Sequence, residues 1–297
     1  EFQVEHPTEE RLVGSIYKGR VQNLEHDLQA AFVDIGLKKN AFLHYWDMLP
    51  DDDSRLDDDE ENVRPSRRRR VSNEEIAKRF PPGSEIVVQV TKGPIGTKGP
   101  RVTTNLVLPG RYLVLLPQAD QSGISRKIES QQERQRLKKI LRELAIPDGM
   151  GVIMRTAGEG QQKRYFVRDL AWLLQEWHGI TERIKAQPTA TCVFQEPDLI
   201  DRTVRDFLTE DVERIVVDHP KAEERMRETI ARISRRSANK VKFYNDSQPV
   251  FDRFGISRQL DNAFARTVHL KSGGYLVVDE TEALVAIDVN TGRQKGG

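Results

Sequence analysis

Two polar residues near the end of the 297-residue sequence are spaced so that both could bind one metal ion. Asp288 and Asn290 follow an apolar run at residues 284–287, which is typical of a β-strand. Side chains two residues apart on a strand point to the same face, so a carboxylate and an amide oxygen would lie side by side. Such oxygen ligands suit Mg²⁺. The alternative is a polar strand end that caps a turn, and one carboxylate is too few for two-metal chemistry.

A second candidate site follows the apolar run at residues 152–154, where Arg155 and Thr156 precede Gly158 and Gly160. A guanidinium and a hydroxyl beside glycine-rich backbone amides can bind a terminal phosphate from several directions. The alternative is a strand-to-helix turn with a surface arginine. Short glycine-rich motifs produce many false positives, so both interpretations stay open at this point.

Aromatic and basic residues indicate a third candidate, a surface for single-stranded nucleic acid. Phe32 and Phe42 lie in strand-like segments, with Lys38 and Lys39 between them. Bases stack on aromatic rings while basic side chains follow the backbone, and the glycine- and lysine-rich loop at 92–101 could bring phosphates close. The alternative for the loop is an ordinary hairpin tip. From composition alone, core positions for both phenylalanines are favoured, because most aromatic residues are buried.

The elements that must position these residues follow from the hydrophobic pattern. Alternating strands separated by glycines over residues 2–48 and again over 85–108 predict a small β-barrel. Helical spacing of apolar residues predicts long helices at 127–145 and 166–186. Residues 199–297 alternate between helical and strand patterns, which predicts an α/β region that ends in a hairpin.

Composition narrows the classes of protein that are possible. The formal net charge is +1, but acidic residues concentrate at 51–61 and four arginines follow at 67–70, so we expect a solvated insertion at 50–72. The single cysteine, Cys192, excludes a disulfide framework within this sequence and favours a cytoplasmic location. No apolar run approaches the roughly 18 to 20 residues of a membrane span, so we expect no integral membrane segment.

Five short motifs occur in order along the chain. Together they closely resemble the ribonuclease E/G family, and the resemblance covers nearly the whole chain except the charged insertion. The motifs are Ile16–Gly19, Ala30–Gly36, Gly123–Ile128, Arg155–Gly158 and Glu282–Gly292.

The resemblance implies an α+β, multidomain fold. An RNase H-like α/β subdomain would be split between residues 1–14 and 200–263. An OB-fold β-barrel that binds RNA (15–104) and an α/β 5′-sensor (105–199) would be inserted into it. A deoxyribonuclease-I-like catalytic subdomain would begin at residue 264.

The resemblance also implies a Mg²⁺-dependent, single-strand-specific endoribonuclease that processes ribosomal and transfer RNA precursors and initiates mRNA decay. Its substrates would be AU-rich RNAs with a 5′-monophosphate, and its products would carry 5′-phosphate and 3′-hydroxyl ends. Two other hypotheses are a non-catalytic RNA-binding module and a deoxyribonuclease.

The catalytic residues of the family match two positions in this sequence. Asp288 matches a magnesium-binding catalytic aspartate and Asn290 the asparagine beside it. The family's second magnesium-binding aspartate is expected downstream, beyond this sequence. A structural Zn²⁺ that joins protomers is likewise expected only through residues beyond it, and the full-length protein is expected to be a homo-oligomer.

The family's RNA-contacting residues match further positions. Phe32, Phe42 and Lys98 match residues of the RNA channel in the OB-fold, which reverses the preference for core positions that composition alone gives. The residues that match the 5′-monophosphate pocket are Gly110, Val114, Arg155 and Thr156.

Overall fold

The computed structural model describes residues 2–6, 11–48, 72–208, 211–281 and 284–292, without the side chains of residues 232 and 233. The chain forms two compact units, residues 1–211 and residues 212–297. The insertion predicted at 50–72 lies outside the described residues except for Ser72, which precedes a helix.

The first unit begins with a closed five-stranded β-barrel. Its elements are β1 (Ile16–Glu25), β2 (Ala30–Asp34), β3 (Ala41–His44), α1 (Asn73–Arg79), β4 (Glu85–Lys92) and β5 (Arg101–Thr103). The strand order is β1-β2-β3-β5-β4, and the barrel closes where β4 pairs with β1. The β3–β5 pair is parallel and the other barrel pairs are antiparallel. A closed barrel of this kind is compatible with the predicted OB-fold.

Alternation along the strands separates the barrel core from its outer face. Ala31, Val33 and Leu43 are buried, whereas Phe32 and Phe42 are half-buried. Because successive side chains of a strand point to opposite faces, the buried residues fill the barrel interior and the two phenylalanines lie outside it. Neither phenylalanine belongs to the barrel's hydrophobic core.

The rest of the first unit is a small sheet covered by helices. Its elements are β6 (Leu108–Pro109), β7 (Leu113–Leu116), β8 (Gly123–Ile124), α2 (Gln131–Arg142), β9 (Gly151–Met154), α3 (Lys163–Ala186), β10 (Thr191–Phe194) and α4 (Leu199–Phe207). The sheet has the order β6-β7-β9-β8, while β10 pairs with β1 of the barrel.

The two long helices of this region follow from local sequence. The Oγ of Ser130 accepts a hydrogen bond from the amide of Glu133 at 3.3 Å, which caps the start of α2. In α3, Phe166, Leu170 and Leu173 repeat at helical spacing and are buried in the core beneath the sheet.

The second unit contains a parallel strand pair with its helices and a three-stranded antiparallel sheet. Its elements are β11 (Ile215–Val217), α5 (Pro220–Ile233), α6 (Arg235–Ala238), β12 (Val241–Phe243), α7 (Val250–Arg253), α8 (Ile256–Ala263), β13 (Thr267–His269), β14 (Tyr275–Glu280) and β15 (Val285–Asn290). Strands β11 and β12 pair in parallel, and β13-β14-β15 form the antiparallel sheet.

The mixed α+β character and the terminal hairpin are confirmed, but some element predictions are wrong. The strand pattern expected over residues 85–108 is interrupted between β5 and β6, where the side chain of Gln89 bonds both main-chain groups of Val107 at 2.8 and 2.9 Å. Residues 2–6 form no strand. Among the described residues, no helix is both long and apolar enough to cross a membrane.

Candidate phosphate pocket, RNA-binding face and metal ligands

Arg155 lies directly after β9, where two acceptors hold one of its nitrogens. Its Nη1 donates to the carbonyl oxygen of Gly110 at 2.6 Å and to Oδ1 of Asp206, in α4, at 2.7 Å. The main-chain amide of Arg155 donates to the carbonyl of Tyr112 at 2.8 Å. Two of the residues predicted to bind phosphate, Arg155 and Gly110, are therefore in direct contact.

The other two residues predicted for this pocket lie on either side of that contact. Thr156 is exposed and opens the short 3-10 turn Thr156–Gly158. Val114 pairs in β7 with Ile153 of β9, two residues before Arg155. The four predicted residues thus belong to two adjacent segments, the β6–β7 turn with the start of β7 and the end of β9.

The carboxylate of Asp169, in α3, fixes the loop between β6 and β7. Its Oδ1 accepts from the amide of Arg111 at 3.2 Å, and its Oδ2 accepts from the amides of Tyr112 and Leu113, each at 2.8 Å. Burial raises the pKa of Asp169 above its ordinary value, and the three backbone amides oppose that shift only in part.

Gly110 lies where two side chains of α3, those of Asp169 and Leu173, approach the chain closely. A Cβ there would lie 2.7 Å from Oδ2 of Asp169 and 2.9 Å from Cδ1 of Leu173. Both distances are shorter than a Cβ tolerates, so a side chain at this position would force Asp169 or Leu173 to shift.

Four aromatic side chains form a row on the outside of the barrel, which we call the aromatic face (Phe32, Phe42, His44 and Trp46). Phe32 and Phe42 are cross-strand partners whose rings meet edge to face at 5.9 Å between centroids. Phe42 meets His44 at 6.3 Å, and His44 stacks on Trp46. All four side chains are half-buried, so part of each ring is open to solvent. The row offers ring surfaces of the kind on which bases stack.

The loop between β4 and β5 lies beside the turn between β2 and β3. Lys98 is exposed in this loop, and Nζ of Lys39 donates to the carbonyl of Gly96 at 3.0 Å. The amide of Phe42 donates to the carbonyl of Pro100 at 2.8 Å. The basic loop is therefore joined to the strand that carries part of the aromatic face.

Asp288 and Asn290 lie at the end of β15 and face the same side, as their spacing predicts. Nδ2 of Asn290 donates to Oδ2 of Asp288 at 3.0 Å. Asp288 is exposed and Asn290 is half-buried. The two side chains are close enough to serve one ion together.

The donor set of this pair fits a hard cation but is small. Carboxylate and amide oxygens are ligands that Mg²⁺ accepts. Asp279 shares this face of the sheet, but both its oxygens accept from Arg266, at 2.5 and 2.9 Å, and these bonds lower its pKa. Among the described residues, no group of three or more histidine, cysteine, aspartate or glutamate side chains could hold a metal ion.

Four residues of these sites were not predicted from the sequence. They are His44, Trp46, Asp169 and Asp206. A signal existed for Asp169, since it lies three residues after Phe166 and four before Leu173, on the apolar stripe of α3. A carboxylate on a buried stripe needs hydrogen-bond donors, and here the donors are backbone amides.

Comparisons with known proteins agree with the resemblance. The model of the ribonuclease E/G family matches residues 107–297. The chain is 39% identical to ribonuclease G of Escherichia coli (strain K12) over 292 residues, which are 98% of this chain and 58% of that protein. It is 38% identical to ribonuclease E of Haemophilus influenzae over 302 residues, covering all of this chain and 31% of that protein.

The chain therefore spans a little over half the length of the ribonuclease G sequences that it matches, and a smaller share of ribonuclease E. The family model covers well over half of the chain, and the identity to ribonuclease G extends across almost all of it. By both criteria, the chain belongs to the ribonuclease E/G family.

Proposed function

We propose that the protein is a Mg²⁺-dependent endoribonuclease of RNA processing and mRNA decay, specific for single strands and responsive to a 5′-monophosphate. The observation that carries the proposal is the identity to ribonuclease G across 98% of the chain. We further propose the RNase H-like, 5′-sensor and deoxyribonuclease-I-like subdomains, a cytoplasmic location and homo-oligomers for the whole protein.

The aromatic face and the basic loop are the proposed RNA-binding surface. Bases would stack on Phe32 and Phe42, while Lys98 would contact the phosphates of the same strand. Stacking needs bases that are not paired in a duplex, which supports a preference for single strands. Half-buried aromatic residues on the outside of the barrel suit this role, because they are both anchored and partly exposed.

Asp288 and Asn290 are the proposed ligands for Mg²⁺. When bound, the ion would supply Lewis-acid activation of water and neutralise charge at the scissile phosphodiester. Asp288 would contribute the negative charge that holds the cation, and Asn290 would orient the carboxylate through its 3.0 Å hydrogen bond. Hydrolysis of the bond between phosphorus and the 3′ oxygen of the preceding nucleotide would leave 5′-phosphate and 3′-hydroxyl ends.

Arg155 and Thr156, with the backbone of Gly110 and Val114, are the proposed pocket for the 5′-monophosphate. A guanidinium binds a phosphate by two parallel hydrogen bonds, and a nearby hydroxyl can add a third. The pocket lies in a unit with its own hydrophobic core, and two hydrogen bonds hold Arg155 in place there.

The chemistry can be tested with the full-length protein and a 5′-phosphorylated, AU-rich oligonucleotide, made once as RNA and once as DNA. We expect cleavage of RNA only, in Mg²⁺ and not in chelator. Asp288→Ala should slow cleavage strongly, whereas Asp261→Ala, which removes another exposed carboxylate of the same unit, should not. Equal cleavage by wild type and Asp288→Ala would contradict the catalytic assignment.

A second candidate is a non-catalytic RNA-binding module, which the small donor set at Asp288 favours. In that case Asp288 only ends a strand, and the same assay would give RNA binding without cleavage in any metal ion. A deoxyribonuclease would instead cleave the DNA oligonucleotide in preference to the RNA.

Arg155→Ala tests the 5′-phosphate pocket separately from the chemistry. We expect it to remove the rate advantage of 5′-monophosphorylated RNA over 5′-hydroxyl RNA and to leave the rate on 5′-hydroxyl RNA unchanged. An undiminished advantage would exclude Arg155 from the pocket.

A further inference from the structure

We propose that Asp206 is a positioning residue of the 5′-phosphate pocket, which holds Arg155 with the correct edge open for the phosphate. The inference rests on the proposed role of Arg155. Asp206 lies in α4, about fifty residues from Arg155 along the chain, and the two side chains form an ion pair at 2.7 Å.

The bonding pattern of Arg155 uses one side of its guanidinium. Nη1 bonds both Gly110 and Asp206, while Nε and Nη2 have no hydrogen-bond partner within the described part of the chain. Nε and Nη2 are the two nitrogens whose N–H bonds point in the same direction, and this edge forms paired bonds with phosphate oxygens. Because the group is planar and rigid, two acceptors on Nη1 fix the direction of the open edge.

Asp206 is itself held on both oxygens. Nε of Arg205 donates to its Oδ1 at 3.1 Å and Nη2 donates to its Oδ2 at 2.9 Å. Nη1 of Arg205 also pairs with Glu196 at 2.9 Å, and the Glu196 side chain is 7% exposed. The Asp206 carboxylate is thereby fixed to a buried network rather than to a mobile surface group.

The charges in this network favour positioning over competition with the phosphate. Burial would raise the pKa of Asp206, but its bonds to Arg205 and Arg155 outweigh burial and lower that pKa, so Asp206 is ionised at neutral pH. Arg205 neutralises much of this charge. The phosphate would meet nitrogens that Asp206 does not use, so both anions can bind Arg155 at once.

The experiment compares single-turnover cleavage of 5′-monophosphorylated and 5′-hydroxyl RNA by the full-length protein. Asp206→Ala should lower the monophosphate-to-hydroxyl rate ratio by about tenfold, the scale of one lost hydrogen bond to a charged group. Asp206→Asn should lower it less, because its amide oxygen can still accept from Nη1. The rate on 5′-hydroxyl RNA should not change in either variant.

The matched control is Glu5→Gln. Glu5 pairs with Arg202 of the same helix at 2.9 Å, with side-chain exposures of 20% and 29% close to those of Asp206 and Arg155. Removing this charge weakens a comparable attachment of α4 without touching the pocket. The rate ratio should stay at the wild-type value.

The outcomes separate the inference from the function on which it rests. If Arg155→Ala leaves the rate ratio unchanged, the proposed pocket fails, and the role of Asp206 fails with it. If Arg155→Ala lowers the ratio but neither Asp206 variant does, only the inference is overturned. A higher ratio in Asp206→Asn would make Asp206 a competitor of the phosphate, and equal losses on both RNAs would make its role structural. Either result overturns the inference.

Discussion

Arg155 and Asp288 are both charged residues at strand ends, but their surroundings differ. The Arg155 side chain is 26% exposed, and one of its nitrogens is shared by a carbonyl and a carboxylate. Asp288 is exposed, and its described contact is the amide of Asn290. The surrounding chain fixes the first side chain in one orientation, whereas the second is held by a single neighbour.

This difference matches what each proposed role requires. A pocket that distinguishes a phosphate from a hydroxyl depends on donors that are fixed in advance, because every group ordered on binding reduces the affinity. A metal ligand can be ordered by the ion itself, since binding energy is gained as the ligands assemble. Under the proposed roles, folding prepares recognition of the phosphate, whereas it only brings the metal ligands near each other.

The largest effect that we expect is on chemistry, not on stability. Asp288→Ala should slow cleavage at least about a hundredfold, because a metal ion contributes several kcal/mol to the barrier. The loss should be equal for 5′-monophosphate and 5′-hydroxyl RNA, and the melting temperature should not change, since the side chain is exposed. Single-turnover rates measure the loss of cleavage, and thermal melting measures the stability, each with the full-length protein. A loss confined to monophosphorylated RNA would place Asp288 in recognition and remove the contrast with Arg155.

A change in the packing of the phosphate pocket should instead lower the stability of the protein. Gly110→Ala places a methyl group 2.7 Å from Asp169, and we expect about 1 to 3 kcal/mol of destabilisation from this overpacking. Gly93→Ala is the matched control, since a Cβ at Gly93 would meet no atom within 4 Å. Denaturant unfolding monitored by fluorescence tests this. Equal stability of the two variants would show that the loop adapts and that the pocket is not rigid.

Much of the fold could be predicted because its signals are local. The α2 and α3 helices follow from apolar spacing, and the β14–β15 hairpin follows from two β-branched runs separated by a polar turn. The sheet pairing of β10 with β1 could not be predicted, because it joins segments about 175 residues apart through backbone bonds that carry no sequence pattern.

The contacts within the candidate sites also divide into local ones, which could be predicted, and long-range ones, which could not. Asp288 and Asn290 are neighbours in sequence, so their contact follows from strand geometry alone. Asp206 contacts Arg155 only because α4 folds back onto the β6–β7 loop, and nothing in the local sequence around either residue indicates this. The functional roles of all the candidate site residues, Lys98 and Val114 included, stay predictions.

The aromatic face is intermediate between the fixed Arg155 side chain and the exposed Asp288 side chain, because its rings are half-buried and touch each other. Phe42→Ala should weaken binding of single-stranded RNA by about 1 kcal/mol, or roughly fivefold, which is the lower end of the range for one stacked base. Trp172→Ala removes an aromatic ring that is 51% exposed on α3, outside the aromatic face, and should leave affinity unchanged. Fluorescence anisotropy in the presence of chelator separates binding from cleavage. Similar losses in both variants would mean that exposed rings bind RNA without regard to position.

The smallest expected effect concerns pH and the charge network around Asp206. Its pKa is lowered from an ordinary value of 3.8, so the ion pairs stabilise the folded state above that pH and the stabilisation is lost as pH falls through the lowered value. We expect the difference in unfolding free energy between wild type and Asp206→Asn to be below about 1 kcal/mol at pH 7 and to vanish at sufficiently acidic pH. A difference that grows on acidification would mean that the carboxylate is not stabilised by its arginines.

Added salt should weaken the Arg266–Asp279 ion pair, which lies on the same sheet as Asp288, more than it weakens the network around Asp206. Arg266 and Asp279 are 71% and 47% exposed, whereas Arg155 and Asp206 are 26% and 21% exposed. Exposed charges are screened within about 8 Å at physiological ionic strength, and buried pairs are screened much less. The effect of Asp279→Asn on unfolding should therefore disappear in high salt, while that of Asp206→Asn should persist. If both effects disappear together, the pocket is as open to solvent as the strand end, and its donors are not fixed before the phosphate binds.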